Sequence, residues 1–160
     1  MGFAPSPMQL VSNTFEPGGA IPRRCSMEGE NQSPHLQWIG APAGTRSFAL
    51  ICHDPDAPLA MPGSYGFVHW VLYNLPASVT ELAEGGNGSA SGSEGISDFG
   101  KPGYGGPMPP PGHGVHHYFF IVMALDQELG LQPGLTLWQL MTQIESHVIG
   151  MNRLMGTYQR

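Results

Sequence analysis

Charge is scarce in this 160-residue sequence, because only 11% of its residues are Asp, Glu, Lys or Arg. Six residues are basic and scattered along the chain, twelve are acidic, and the formal net charge at pH 7 is −6. Nucleic acids and anionic membranes bind clustered basic side chains. The composition therefore argues against both as partners.

Long apolar runs and cysteines are scarce as well. No run reaches the ~20 residues of a transmembrane helix, and no leading segment has the pattern of a secretory signal peptide. The two cysteines, Cys25 and Cys52, lack the spacing of a zinc site. We expect a cytoplasmic protein with no bound cofactor.

Glycine and proline, by contrast, are abundant, with 23 and 16 copies, and 41% of the residues are apolar. Such a composition favours many turns and a mainly β fold over a helical bundle. The length is that of one domain able to bury its own core. We therefore expect a single domain over residues 1–160, with a flexible tail at 1–7 and a mobile Gly/Ser-rich loop at 85–95.

Runs of apolar, β-branched and aromatic residues predict the strands of this domain. The predicted ranges are 8–12, 36–39, 47–53, 67–73 and 119–125, with a further edge strand at 154–158. One helix is predicted over 136–149, where Thr136 and Gln139 form a capping box and Gly150 ends it.

Three polar segments accompany these strands, at 53–58, 69–70 and 103–118. Two lie at strand ends and one lies inside a strand, so a sandwich could bring them into one pocket. Strand alternation places His69 on the face of Phe67, Val71 and Tyr73. An aspartate beside a histidine would fix its tautomer and direct its other nitrogen to a ligand. The alternative is that the aspartates are turn formers and His69 is a core histidine bonded to backbone.

The segment 103–118 begins with a loop too rich in glycine and proline to be a helix or a central strand. Its glycines at 103, 105 and 106 would let backbone amides converge on an anion, although an ordinary turn would use the same residues.

The sequence gives weaker support for metal binding and for nucleophilic catalysis. A metal interpretation rests on three histidines, His113, His116 and His117, but the adjacent pair would point to opposite faces of a strand. For nucleophilic catalysis, Ser64 and Ser97 lack the Gly-x-Ser-x-Gly pattern.

The motifs together resemble the phosphatidylethanolamine-binding protein family, which includes the Raf kinase inhibitor proteins, and especially its bacterial and archaeal branch. The resemblance covers nearly the whole chain. It is carried by Asn31-x-Ser33-Pro34-x-Leu36-x-Trp38, Asp54-Pro55-Asp56-Ala57-Pro58, His69-Trp70-x-x-x-Asn74-Leu75-Pro76, Asp98-Phe99-Gly100 and the segment 103–118.

The resemblance implies an antiparallel Greek-key β-sandwich with short peripheral helices and a small pocket for phosphoryl or similar anions. Asp54 and Asp56 would line the pocket, His69 and His116 would donate to the anion, and Tyr118 would close its side. The loop backbone would come from Gly106, Met108 and Pro110. The sequence departs from the family at His117, where Arg is usual, and at Met108, where a small residue is frequent.

The expected function is non-catalytic binding of a small phosphoryl or carboxylate anion, tighter at acid pH because no Lys or Arg belongs to the expected pocket. One alternative is a kinase or protease inhibitor acting through protein contacts. A second is a hydrolase that uses His69 or His116 as a general base with Asp54. The oligomeric state stays open, a homodimer included.

Overall fold

A computed structural model describes residues 7–58, 65–86 and 91–160 of the chain. Within these residues the chain forms β-strands, one α-helix and two short 3-10 helices. The strands are β1 (Gln9–Val11), β2 (Leu36–Ile39), β3 (Ser47–Asp54), β4 (Phe67–Pro76), β5 (Glu81–Leu82), β6 (Ser93–Glu94), β7 (His116–Leu125) and β8 (Val148–Tyr158). The helix α1 is Leu137–Ile144, and the 3-10 helices are Arg23–Cys25 and Glu145–His147.

The strands pair in two antiparallel sheets, one of three strands in the order β1-β2-β5 and one of five in the order β6-β4-β3-β7-β8. Strand β3 is central in the larger sheet, and seven of its eight residues are buried. Its buried position explains its continuous apolar sequence. The expected antiparallel β-sandwich with a C-terminal helix is confirmed.

Two apolar clusters pack on opposite faces of the larger sheet. One joins it to the smaller sheet and includes Trp38, Leu50 and Phe120. The other joins it to α1 and includes Ile51 and Leu140. The larger sheet is therefore the middle layer of the molecule, and its buried strands carry the pocket described below.

The C-terminal helix is shorter than predicted. Thr136 and Gln139 form the expected capping box, but α1 ends at Ile144 and a 3-10 turn follows. Gly150 does not end the helix, because it lies within β8 and pairs with Ala124 of β7. The predicted edge strand at 154–158 is the second half of this eleven-residue strand. Pairing with the edge of β7 that β3 leaves open outweighs the helical periodicity of Val148.

A β-bulge in β4 corrects the predicted orientation of His69. Cys52 of β3 pairs with Trp70, and the next residue of β3 pairs with Val68, so His69 has no partner on β3. An extra residue of this kind shifts the alternation of a strand. The ring of His69 consequently contacts Tyr118, whereas Val71 packs on the opposite face of the sheet with α1.

Some of the expected features fall partly outside the described residues. Residues 1–6 of the expected tail and residues 87–90 of the expected loop lie outside the described residues, as does Ser64. Within the loop, Ser93–Glu94 form β6 and pair with β4.

Cys25 and Cys52 are buried free thiols, and burial raises the pKa of Cys25 to about 11. Among the described residues, no helix is long and apolar enough to cross a membrane.

Candidate functional site

A cavity of about 270 Å³ opens where β3, β4 and β7 meet the glycine- and proline-rich loop. Its volume is many times the ~30 Å³ that one water occupies in the liquid. Aromatic, proline and methionine side chains form most of its wall. The lining residues are Asp54, Ala57, Pro58, Phe67, His69, Phe99, Met108, Pro109, Pro110, His116 and Tyr118.

The most buried polar contact of this cavity joins the end of β3 to the start of β7. Nδ1 of His116 lies 2.7 Å from Oδ2 of Asp54, and both side chains are at most 3% exposed. The other carboxylate oxygen of Asp54 accepts the backbone N–H of Asp56 at 2.8 Å. The imidazole therefore donates through Nδ1, and its Nε2 remains as the nitrogen available to other partners.

His69 is held in a different way, by backbone. Its Nδ1 donates to the carbonyl oxygen of Gly105 at 2.7 Å, and the backbone N–H of Gly105 donates to the carbonyl of His69 at 3.0 Å. Burial lowers the pKa of His69, against the opposing effect of the bond to Gly105. The ring is therefore neutral at pH 7, with its proton on Nδ1.

Tyr118 places its hydroxyl group against this apolar wall. The residue is 1% exposed, and its hydroxyl has no hydrogen-bond partner among the described residues. Burial raises the pKa of Tyr118 far above its usual value, so the phenol keeps its proton. A buried O–H without an acceptor costs about 1–3 kcal/mol. A ligand oxygen in the cavity would remove that cost.

The structure brings together six of the eight predicted site residues. Asp54, His69, Met108, Pro110, His116 and Tyr118 all line the cavity.

Asp56 lies elsewhere. Its Oδ2 accepts both the backbone N–H and the ring Nδ1–H of His117, at 2.8 and 2.7 Å, and its side chain is 40% exposed. Partial burial acts to raise the pKa of Asp56, but these bonds outweigh it and lower the pKa. The turn after β3 directs the two aspartates to different places. Asp56 thus partners His117, the residue at the family's usual Arg position.

Gly106 also lies outside the cavity lining, and the expected cluster of free loop amides is not formed. Its N–H donates to Oδ1 of Asn31 at 2.7 Å, and the N–H of Gly105 is bonded to His69. A Cβ at Gly106 would lie 2.2 Å from the carbonyl oxygen of Cys25. These glycines therefore anchor the loop by close backbone packing and contribute no free amide to the cavity.

Sequence reasoning did not assign the aromatic wall. The rings of Phe67 and Phe99 lie 4.7 Å apart, edge to face, and both contact His69. Phe99 is positioned by its neighbour Asp98, whose Oδ2 accepts the N–H of Val68 beside the bulge at 2.7 Å. The Asp98-Phe99-Gly100 motif marked this segment, but nothing in its spacing showed that it reaches the bulge.

Sequence reasoning considered His113 only as a metal ligand. Its Nδ1 lies 2.7 Å from Nε2 of His116, whereas His117 pairs with Asp56 on the outer face. Within residues 7–58, 65–86 and 91–160, no three His, Cys, Asp or Glu side chains gather as metal ligands.

Comparisons with known proteins agree with this architecture. The model of the phosphatidylethanolamine-binding protein family matches residues 11–159. A UPF0098 protein of Aquifex aeolicus is 41% identical over 157 residues, covering 96% of this chain and 89% of that protein. A crystal structure described as a phosphatidylethanolamine-binding protein homologue of Chlamydia trachomatis has a TM-score of 0.88 and 37% identity over 96% of this chain and 97% of its own. Escherichia coli YbcL has a TM-score of 0.87 and 32% identity over 97% and 99%.

Proposed function

The chain belongs to the phosphatidylethanolamine-binding protein family, and we propose that it is a non-catalytic protein that binds a small phosphoryl or carboxylate anion in the cavity of Asp54, His69 and His116. The observation that carries the proposal is the buried hydroxyl of Tyr118, which has no hydrogen-bond partner among the described residues and lies beside two oriented imidazoles. A protonated phenol donates hydrogen bonds to anion oxygens. In the proposed complex, Tyr118 supplies one donor and the imidazoles supply others.

The charge of the cavity determines which conditions favour binding. Among the described residues, the lining contains no Lys or Arg, and it contains the carboxylate of Asp54. An imidazole donates to an anion most strongly when it is protonated, because the hydrogen bond is then charge-assisted. Anion binding is therefore coupled to proton uptake by His69 or His116, and affinity rises as the pH falls.

The apolar wall limits the kind of ligand. Phe67, Phe99 and Met108 line the cavity together with the Asp54–His116 pair, and inorganic phosphate fills only part of its volume. Burying apolar ligand surface there contributes about 25 cal/mol per Å². We expect ligands that join an anionic group to a small apolar group to bind more tightly than the bare anion.

Isothermal titration calorimetry with phosphate, phosphorylethanolamine, phosphoserine and acetate tests this proposal. The wild type is compared with His69→Ala and His116→Ala, and His147→Ala is the control because it lies at the opposite end of the sheet, paired with Asp126. We expect both pocket variants to lose at least tenfold in affinity, and the control none. Equal binding by all four proteins would contradict the site, and equal or tighter phosphate binding at pH 8 than at pH 6 would contradict the role of the imidazoles.

A protein partner is a second candidate, favoured by exposed apolar side chains on and near the loop. Met108 lines the cavity and is 44% exposed, and Val115 directly before β7 is 48% exposed. A kinase or protease whose phosphorylated or acidic side chain enters the cavity would cover them. A pull-down from the native cell extract, with and without excess phosphorylethanolamine, tests this interaction. Capture that persists unchanged in the His116→Ala variant would exclude a partner held by the pocket.

Hydrolysis with His69 or His116 as general base is the remaining alternative, and the contact between Asp54 and His116 is the observation that favours it. An oriented imidazole can act as a general base. We expect no turnover in a phosphatase and esterase screen at pH 6–8, because the proposed pocket recognises its ligand without attacking it. Turnover that disappears in His116→Ala would contradict a purely binding role.

A further inference from the structure

The contact between His113 and His116 occupies the atom on which anion binding by His116 depends. Nδ1 of His113 lies 2.7 Å from Nε2 of His116, and the two ring centroids are 5.0 Å apart. Since Nδ1 of His116 is bonded to Asp54, Nε2 is its only nitrogen that can serve a ligand. His113 and an anion therefore compete for the same nitrogen, Nε2 of His116.

One proton lies between Nδ1 of His113 and Nε2 of His116, and it can reside on either nitrogen. In the first, His113 donates Nδ1–H to neutral His116. In the second, protonated His116 donates Nε2–H to His113. Nε2 has no free N–H in either form. An anion can use His116 only after the bond between the two histidines is broken.

We infer that His113 is an internal competitor of the ligand, which holds His116 in a self-bonded state and must leave it before an anion can bind. The inference rests on the proposed function and concerns regulation of the same site. When both rings are protonated, two N–H groups face each other and the bond is lost. Acidification then frees His116 and places a second positive charge at the cavity mouth.

The chain around His113 is built for such a movement. His113 is exposed and lies between Gly112 and Gly114, with φ of +74° and +96°, where an added Cβ would meet nothing within 4 Å. The loop at His113 is held by the bond of its N–H to the carbonyl of Pro110 and by the bond of the Gly112 N–H to the carbonyl of Arg160. The ring can swing outward without disturbing packed side chains.

The surrounding charges do not replace the His113 bond. Asp54 faces His116 from β3, and the carboxylate of Asp56 is bonded to His117. From β8, Tyr158 pairs opposite His116, and its hydroxyl donates to Glu28. The guanidinium of Arg160 interacts with Glu28 and the carbonyl of Pro109. His69 and the uncharged Tyr118 line the same cavity as His116. The state of the imidazole pair therefore depends chiefly on its own protons and on Asp54.

The variant His113→Ala tests the inference with inorganic phosphate as the probe. Removing a competitor worth one hydrogen bond should tighten phosphate binding about fivefold at pH 8. The gain should be smaller at pH 5.5 than at pH 8, because a second proton on the pair breaks the bond in the wild type. His147→Ala is the control and should follow the wild type at both pH values. Nitrogen-15 NMR of the wild-type histidines should show Nδ1 of His113 becoming solvent-bonded when phosphate saturates the cavity.

The outcomes separate this inference from the proposed function. If wild-type protein binds phosphate through His69 and His116, but His113→Ala binds with equal or lower affinity at pH 8, His113 is not a competitor. An unchanged Nδ1 signal of His113 at saturation overturns it as well. If the wild type binds no phosphate at any pH, the proposed function fails, and this inference fails with it.

Discussion

The Nδ1–H of His116 donates to Oδ2 of Asp54 across 2.7 Å in an almost fully buried pair. The carboxylate is anchored through its other oxygen, which closes the turn to Asp56. The end of β3 thereby fixes both the tautomer and the orientation of a ring on β7. This relationship makes Asp54 a positioning residue for the cavity.

Replacing Asp54 by Asn tests that role. The amide retains an acceptor for Nδ1–H but no negative charge, so we expect a loss of about 1–2 kcal/mol in the free energy of unfolding. The ratio of phosphate affinities at pH 6 and pH 8 should also decrease, because protonated His116 loses its counter-charge. Urea unfolding and calorimetry measure the two effects. Asp56→Asn, at an exposed pair, should cost about 0.5 kcal/mol or less, and equal losses in both variants would contradict the assignment.

The hydroxyl of Tyr118 yields a prediction with opposite effects on stability and binding. Tyr118→Phe removes a buried donor that has no partner among the described residues. The free protein should be unchanged or more stable by about 1 kcal/mol, because the unsatisfied group carries a desolvation cost. Phosphate affinity should fall about fivefold or more, because the anion loses one donor.

Urea unfolding and calorimetry on the same Tyr118→Phe preparation separate these effects. A clear loss of stability without loss of affinity would show that the hydroxyl is satisfied within the protein and does not serve the ligand.

Most strands could be predicted because their sequences carry a single strong signal. The apolar run of β3 and the range 36–39 of β2 match the structure closely, since burial on the sheet is the main determinant of both. The strand β8 could not be predicted in full. It contains Gly150 and Gly156 and has weak periodicity, and its pairing with β7 is a contact between distant parts of the chain.

The residues of the candidate site could be predicted where they belong to short sequence motifs. The spatial arrangement of one motif relative to another could not be predicted. The bulge at His69, the outward turn of Asp56 and the contact of His113 with His116 each depend on register or on a turn. A shift of one residue reverses the face of a strand. Alternation from Phe67 onward therefore assigned Val71 to the wrong side.

Burial of His69 predicts a pH-dependent stability. Its pKa is lowered in the folded protein from an ordinary value near 6.5, so the unfolded chain binds the proton first. Stability attributable to this ring is therefore full above pH 6.5 and declines as the pH falls from 6.5 toward the folded value. His69→Asn, which can still donate to Gly105, should reduce the slope of unfolding free energy against pH by up to about 1.4 kcal/mol per unit.

Urea unfolding between pH 8 and pH 5 measures that slope, without added anion. His147→Ala provides the comparison, since its partially exposed ring is paired with Asp126 at the other end of the sheet. A slope in His69→Asn equal to that of the wild type would mean that the ring is not protonated preferentially in the unfolded chain.

The loop anchor at Gly106 predicts a loss of both stability and binding. An added Cβ would lie 2.2 Å from the carbonyl oxygen of Cys25 and 2.9 Å from Oδ1 of Asn31, so the backbone must move. Gly106→Ala should cost about 1–3 kcal/mol, as overpacking does. Because the displaced loop carries the carbonyl that orients His69, phosphate affinity should fall as well.

Gly103→Ala is the matched control for this anchor. Its Cβ would meet nothing within 4 Å, but its φ of +91° makes any side chain strained there, at a cost of about 1–2 kcal/mol. Since the carbonyl that orients His69 belongs to Gly105, stability should fall while phosphate affinity stays unchanged. Equal losses of affinity in both variants would show that general loosening of the loop weakens binding, whereas loss in Gly106→Ala alone assigns the effect to the carbonyl of Gly105 and the imidazole it orients.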